Sequence, residues 1–191
     1  TSPADTISQK KMYVLIPYRA VDMVEKLGAT LAKDKIYLSA GADFLSAAYN
    51  ESPFTRMEKI ILKAFPTRPQ LKKNTLTGEN QSRIYELRSY ESPSEELFHN
   101  KVKMFNDGNE VGIFDRLGFN PIFYSEVIAG SHMPNLMYMT SFENKESREE
   151  HWKAFGADDE WNKLKANSTY DKNNVSHIDI RFLYPADYSD L

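Results

Sequence analysis

The stretch VSHIDIRFL, Val175 to Leu183, sets a base, an acid and a guanidinium in a row. At a strand's period of two, Val175, His177, Asp179 and Arg181 share one side, and Ser176, Ile178, Ile180 and Phe182 the other. One side is fit for burial, and the other can do chemistry. His177 can move a proton near neutral pH when Asp179 or Glu86 holds it, which makes His177 and Asp179 the candidate catalytic pair. Arg181 and Arg88 can clamp a carboxylate or other anion through paired N–H donors. His-x-Asp with Glu126 can also ligate a metal, but it lacks the clustered ligands of ordinary metal sites, and no metal is expected.

Such a row needs strands to hold it, and composition allows them. The chain has 191 residues, 41% hydrophobic and 13% aromatic, enough to bury a core. A net charge of −3 argues against nucleic acid as a partner. The absence of cysteine removes thiol nucleophiles, disulfides and thiolate metal sites, and leaves the compartment undetermined. No apolar run reaches a membrane span, and the start TSPADTISQKK has no signal-like segment, so a soluble protein with a processed or truncated beginning is expected. Gly-x-Gly-x-x-Gly, P-loop and Gly-x-Ser-x-Gly patterns are missing.

Along the chain, KMYVLIPY (Lys11 to Tyr18) reads as a strand, two helical stretches follow up to Tyr49, and Phe54 to Phe65 reads as a second strand. Pro66 to Ser82 is rich in proline and polar residues and reads as a linker. Beyond it come a strand at Arg83 to Tyr90 and a helix capped by Ser92 with Pro93 at its first position. A weak spot follows at Asn106 to Glu110, then a stop at Gly118. Two strands around the loop SHMP, a helix in two pieces and the final strand complete the order β-α-β-β-α-β. That is the α+β, ferredoxin-like pattern.

The first segment echoes the second half of this unit. At an offset of 125 residues, Met12-Tyr13 matches Met137-Tyr138, Ala29 matches Ala154, and Asp34 matches Asp159. A duplicated unit is expected, its first copy reduced to β-α-β. The expected organisation is a partial repeat over 1–66, a linker over 67–82 and a full domain over 83–191. A further segment upstream, or another completing partner, is expected for the partial copy.

RIYELRSYESPSEELF resembles the opening of the NIPSNAP family, with its Tyr-Glu-Leu-Arg strand ahead of the first helix. HMPNLMYMTSFENKESREEHWKAFGADDEW is similar to the family's hairpin, third strand and second helix, with Asp159 where the family's Asp-Pro-Glu-Trp turn has proline. The resemblance covers roughly Arg83 to Leu183. It implies a dimeric α+β barrel, in which two ferredoxin-like sheets curl together, closed within the chain or by a homodimer. It implies no agreed catalytic residues.

In such a barrel the helices pack on one apolar sheet face. Tyr85, Leu87, Phe123, Val127, Ile178, Ile180 and Phe182 are the natural choices for it. The other face then collects Glu86, Arg88, Tyr124, Glu126, His177, Asp179 and Arg181 as a polar lining, whose charges must pair in a closed interior. A ligand pocket and a structural ion-pair network both fit. Three functions stay open: binding of a small polar or anionic ligand, a cofactor-poor monooxygenase or isomerase, and a non-catalytic scaffold. No cofactor is predicted, and haem attached from His99 is the alternative left open. His132 falls at a hairpin tip, His151 beside Trp152 is expected to face solvent, and Trp152, Phe155 and Trp161 are expected as core anchors.

Overall fold

The structure, a computed structural model, describes residues 11–191. The chain divides into two compact units, Tyr13–Lys59 and one formed chiefly by Ile60–Leu191. The first holds three short helices, α1 (Met23–Leu31), α2 (Lys35–Ala40) and α3 (Ala42–Leu45). Asp34 starts α2 by accepting hydrogen bonds from the Ile36 and Tyr37 amides at 2.9 and 3.0 Å. The strand expected over Lys11 to Tyr18 does not form. No residue over 13–59 is buried, because a segment this short cannot enclose a core of its own.

The second unit is α+β. Its strands are β1 (Ile61–Ala64), β2 (Ile84–Glu91), β3 (Pro121–Ala129), β4 (Asn135–Phe142) and β5 (His177–Leu183). They form one antiparallel sheet in the order β1-β3-β4-β2-β5. Between β2 and β3 lie α4 (Glu95–Asn106) and α5 (Glu110–Arg116); between β4 and β5 lie α6 (Lys145–Ala157) and α7 (Asp159–Ala166). The division at Lys59 assigns β1 to the sheet unit, where it pairs with β3, and not to the preceding helices.

Local chemistry sets the helix ends. Ser94, not Ser92, caps α4, accepting from the Leu97 amide at 3.3 Å. The Ser92 hydroxyl is already committed, donating to the Asn174 carbonyl at 2.7 Å. The break between α4 and α5 falls at the expected weak spot, where Asn109 takes a left-handed conformation (φ 61°). Gly118, at φ 74°, follows α5 as the expected stop. Asn144 caps α6, accepting from the Ser147 amide at 2.8 Å. Asn144→Ala is expected to lower stability by about 1 kcal/mol, read as a shift in the denaturant midpoint.

The principal core lies between the helices and one sheet face, and it is built of rings. Phe105, Phe114, Tyr124 and Tyr138 are buried together, and Phe114 stacks on Phe155 with centroids 4.7 Å apart. Tyr85, Leu87, Ile122 and Met139 form a smaller cluster on the opposite face, with Leu71 and Leu191 packed against it. The segment expected as a linker is therefore tied down. Lys72 donates its amide to the Ile122 carbonyl at 2.9 Å. Asn74 reaches the Tyr85 hydroxyl at 2.7 Å, and the Thr77 and Gly78 amides donate to Glu143 at 2.9 and 2.8 Å.

Candidate functional site

The seven expected lining residues do not share a face. Strand register decides the matter, since residues opposite one another on paired strands project to the same side. Ile178, Ile180 and Phe182 lie opposite Tyr90, Arg88 and Glu86. They share the helix face with the two charges expected to oppose them. Arg148 of α6 sits 5.2 Å over the Phe182 ring, which fixes that side. His177, Asp179 and Arg181 lie opposite Glu91, Ser89 and Leu87, on the face turned away from α4 to α7. Tyr124 pairs with Tyr138 and Glu126 with Leu136, so both belong to the helix side. Tyr85, Leu87, Phe123 and Val127 turn the other way.

On the helix face Glu86 is the centre of a closed network. Its side chain is 0% exposed. Arg88 Nε donates to it at 2.7 Å, Arg148 Nε and Nη2 at 2.7 and 3.0 Å, and the Trp152 indole N–H at 2.9 Å. Burial pushes the Glu86 carboxyl up, but the Arg148 hydrogen bond, the Arg88 charge and the Trp152 donor outweigh it and hold it below the ordinary value. Arg88 lies 3.9 Å over the Trp152 ring and donates to the Tyr90 hydroxyl at 2.8 Å. Tyr90 and Tyr138 share a hydrogen bond of 2.8 Å. Burial, first, then the Tyr90 phenol raise Tyr138 well above its usual value, so it stays neutral.

A second buried pair lies above it. Lys101 of α4 donates to Glu110 of α5 at 2.9 Å, with the ammonium 4.7 Å over the Phe105 ring. Burial raises the Glu110 carboxyl, and the Lys101 charge offsets only part of that. The Tyr124 and Thr140 hydroxyls are buried here without a hydrogen-bond partner. Glu86 and Arg88 form a hydrogen-bonded support for α6 on the sheet, and Tyr124 is a buried ring of the core beside them.

The open face is different. Arg181 and Asp179 pair at 2.9 Å with their side chains 45% and 40% exposed. Ser89 stands opposite Asp179, and the Asn135 amide donates to the Ser89 hydroxyl at 2.8 Å while its buried carbonyl oxygen has no partner. His177 faces Glu91, whose carboxylate lies 3.0 Å from His132 at the hairpin tip. Only His177, Asp179 and Arg181 of the expected set are thus presented together. Ser89 and Asn135 were missed, and alternation with a polar count had no way to find them without the register.

Elsewhere, a cleft of about 560 Å³ runs between α4 and the loop after α7, lined by Glu96, His99, Asn100, Lys103, Thr169 and Asp171. None of the expected residues lines it except His99, the residue weighed for haem. His151 does not face solvent alone; its ring packs 5.5 Å from Phe142 and 5.8 Å from Phe119. Among the described residues no group of three or more His, Asp or Glu is placed to hold a metal. No helix among them is long and apolar enough to cross a membrane.

An uncharacterized NIPSNAP-like domain protein from Burkholderia xenovorans is 16% identical with a TM-score of 0.51, over 58% of this chain and 91% of its own. A NIPSNAP family protein with unknown function from Agrobacterium tumefaciens is 17% identical with a TM-score of 0.50, over 61% of this chain and 99% of its own. A protein from Fusobacterium nucleatum, provisionally called a monooxygenase, is 9% identical with a TM-score of 0.50, over 84% of this chain and 64% of its own. At these identities the likeness concerns fold alone. No curated protein matches the chain. The NIPSNAP family model matches residues 85–190, more than half of the sequence and the part of the sheet unit that holds β2 to β5, so the chain belongs to the NIPSNAP family.

Proposed function

We propose that the chain binds a small anionic ligand on the open face of its sheet, with Arg181 as the charge that holds it. The observation that carries this reading is the half-exposed Asp179–Arg181 pair beside Ser89 and His177, on the sheet face opposite α4 to α7. A carboxylate on the ligand takes the guanidinium from Asp179 and gains charge-assisted hydrogen bonds. The Ser89 hydroxyl, which accepts from the Asn135 amide, can donate its own proton to the carboxylate and orient it. Glu86, Arg88 and Tyr124 serve as support, and Glu126, paired with Lys63 at 3.7 Å, lies outside the row. The reading invokes no cofactor.

The same proposal takes the sheet as one half of a ferredoxin-like α+β barrel, its open face turned inward. Two features support it. The β-α-β-β-α-β order over β2 to β5 is that of the split βαβ unit. The helices α1 and α2 also fall at the 125-residue offset from α6 and α7, as a duplicated unit requires.

The test is a saturation-transfer NMR titration of the protein with benzoate, phenylacetate and hexanoate, set against their neutral amides. Carboxylates alone should give saturable signals, and Arg181→Ala should weaken them about tenfold or more, the usual worth of a charge-assisted hydrogen bond. Equal signals from acids and amides, or an Arg181→Ala variant that binds as well as the parent, overturn the reading.

A further inference from the structure

We propose that the ligand of Arg181 is a monocarboxylate with an unbranched apolar tail, which lies across the strands once Leu191 has moved aside. The inference rests on the anion reading above and adds what stands behind the charge. Strand register carries it. Arg181 lies opposite Leu87, Leu87 opposite Met139, and Met139 opposite Phe123. Residues opposite one another project to one side, so these side chains form a row across the open face from β5 to β3. One end is a half-exposed guanidinium, and the rest of the row is apolar. Three strand spacings separate Arg181 from Phe123, about 14 Å, the extended length of a chain of roughly ten carbons. The neighbouring row bounds the path, because it runs from Asp179 through Ser89 and Met137 to Ser125. An apolar tail laid there would cover polar groups and leave them unsolvated. The Asp179 carboxylate also repels a second negative charge, which favours a monoanion over a dianion.

Leu87 and Met139 are already buried, in a cluster against which Leu71 and Leu191 pack. The two covers are held differently. Leu71 precedes Lys72, whose amide is bonded to the Ile122 carbonyl, so it is anchored to β3. Leu191 belongs to the segment 184–191. Among the described residues, the hydrogen bonds of that segment stay within it: the Ser189 amide donates to the Ala186 carbonyl and the Leu191 amide to the Ser189 hydroxyl. The Leu191 side chain is what lays the segment on the apolar row. A tail that takes its place buries more apolar surface than one leucine does, so the exchange is favourable. Leu191 is therefore a removable cover, and the length of the tail decides how well a ligand competes with it.

The test is isothermal titration calorimetry of the full chain with acetate, butyrate, hexanoate, octanoate and decanoate, kept below micelle-forming concentrations. Affinity should rise about threefold with each added methylene and level off near ten carbons. The heat-capacity change of binding should become more negative along the series. Leu191→Ala should tighten octanoate and decanoate about fivefold, a gain that acetate, too short to reach the covered row, does not share. Phe123→Asp, at the far end of the row, should weaken decanoate more than hexanoate. Equal affinity from acetate to decanoate, with binding still lost in Arg181→Ala, overturns this inference and leaves the anion reading standing. Longer acids that bind Leu191→Ala no better than the parent overturn the displacement of Leu191. Acids that bind regardless of Arg181→Ala, or fail to bind at all, overturn both readings.

Discussion

Glu86→Ala is expected to cost about 3–5 kcal/mol of folding stability, the usual penalty for removing one partner from a buried charge network. The loss is large because three donors converge on one carboxylate. Without it, the Arg88 and Arg148 guanidinium groups and the Trp152 indole N–H lose their common acceptor. Set against the 5–15 kcal/mol of a typical domain, a deficit of about that size brings the sheet unit near its unfolding threshold. The penalty also depends on pH in a fixed direction. The Glu86 carboxyl sits below its ordinary value in the folded protein. Its contribution is therefore complete above the ordinary carboxylate range and is lost as the pH falls through the lower, folded value. Denaturant melts of parent and variant should differ most at neutral pH and converge in acid. A gap under about 1 kcal/mol at neutral pH would show that the network adds little.

Lys101→Met is expected to cost a comparable amount, about 3–5 kcal/mol at neutral pH, with a different signature. Methionine fills much of the space of the lysine stem beside Met104 and Phe105, but it strands the Glu110 carboxylate at 2% exposure. Burial already raises the Glu110 carboxyl above its ordinary value, and losing Lys101 raises it further. A carboxyl raised in the folded state favours folding while it is protonated, and that contribution is lost as the pH rises through the folded value. The variant should accordingly regain stability as the medium is acidified towards the ordinary carboxylate range. Replacing both partners, Lys101→Met with Glu110→Leu, should recover most of the loss at neutral pH, because two apolar side chains remove the desolvation cost together. A double variant no more stable than Lys101→Met alone would contradict this account.

The order of elements from β2 to β5 was legible because most of their boundaries have a local cause. The break at Asp107-Gly108-Asn109, the stop at Gly118 and the division of the last helical stretch at Asp158 all follow from residues that the sequence displays. The family was legible for a similar reason, since its motifs are short and contiguous. The faces were not. Alternation sorts each strand into two sets, but nothing within a strand says which set matches its neighbour's. Glu86 and Arg88 look like a wetted side because they are charged, and they are buried because Arg148 and Trp152, far along the chain, complete them. The strand at Lys11 to Tyr18 failed for a related reason. A run of apolar residues becomes a strand only where it joins a ladder, and the five-stranded sheet includes none of the residues from Lys11 to Tyr18. The site inherited these errors in part. His177, Asp179 and Arg181 stay together because they belong to one strand, whereas every cross-strand companion assigned to them changed.

The two tryptophans of the chain, Trp152 and Trp161, both lie in the unit that carries the sheet. Trp152 is hydrogen-bonded to a carboxylate and covered by a guanidinium, and Trp161 has Phe155 at 4.5 Å. Intrinsic fluorescence is therefore a local probe in this protein. Its tryptophan emission follows the ring-built core and the charge network beneath α6.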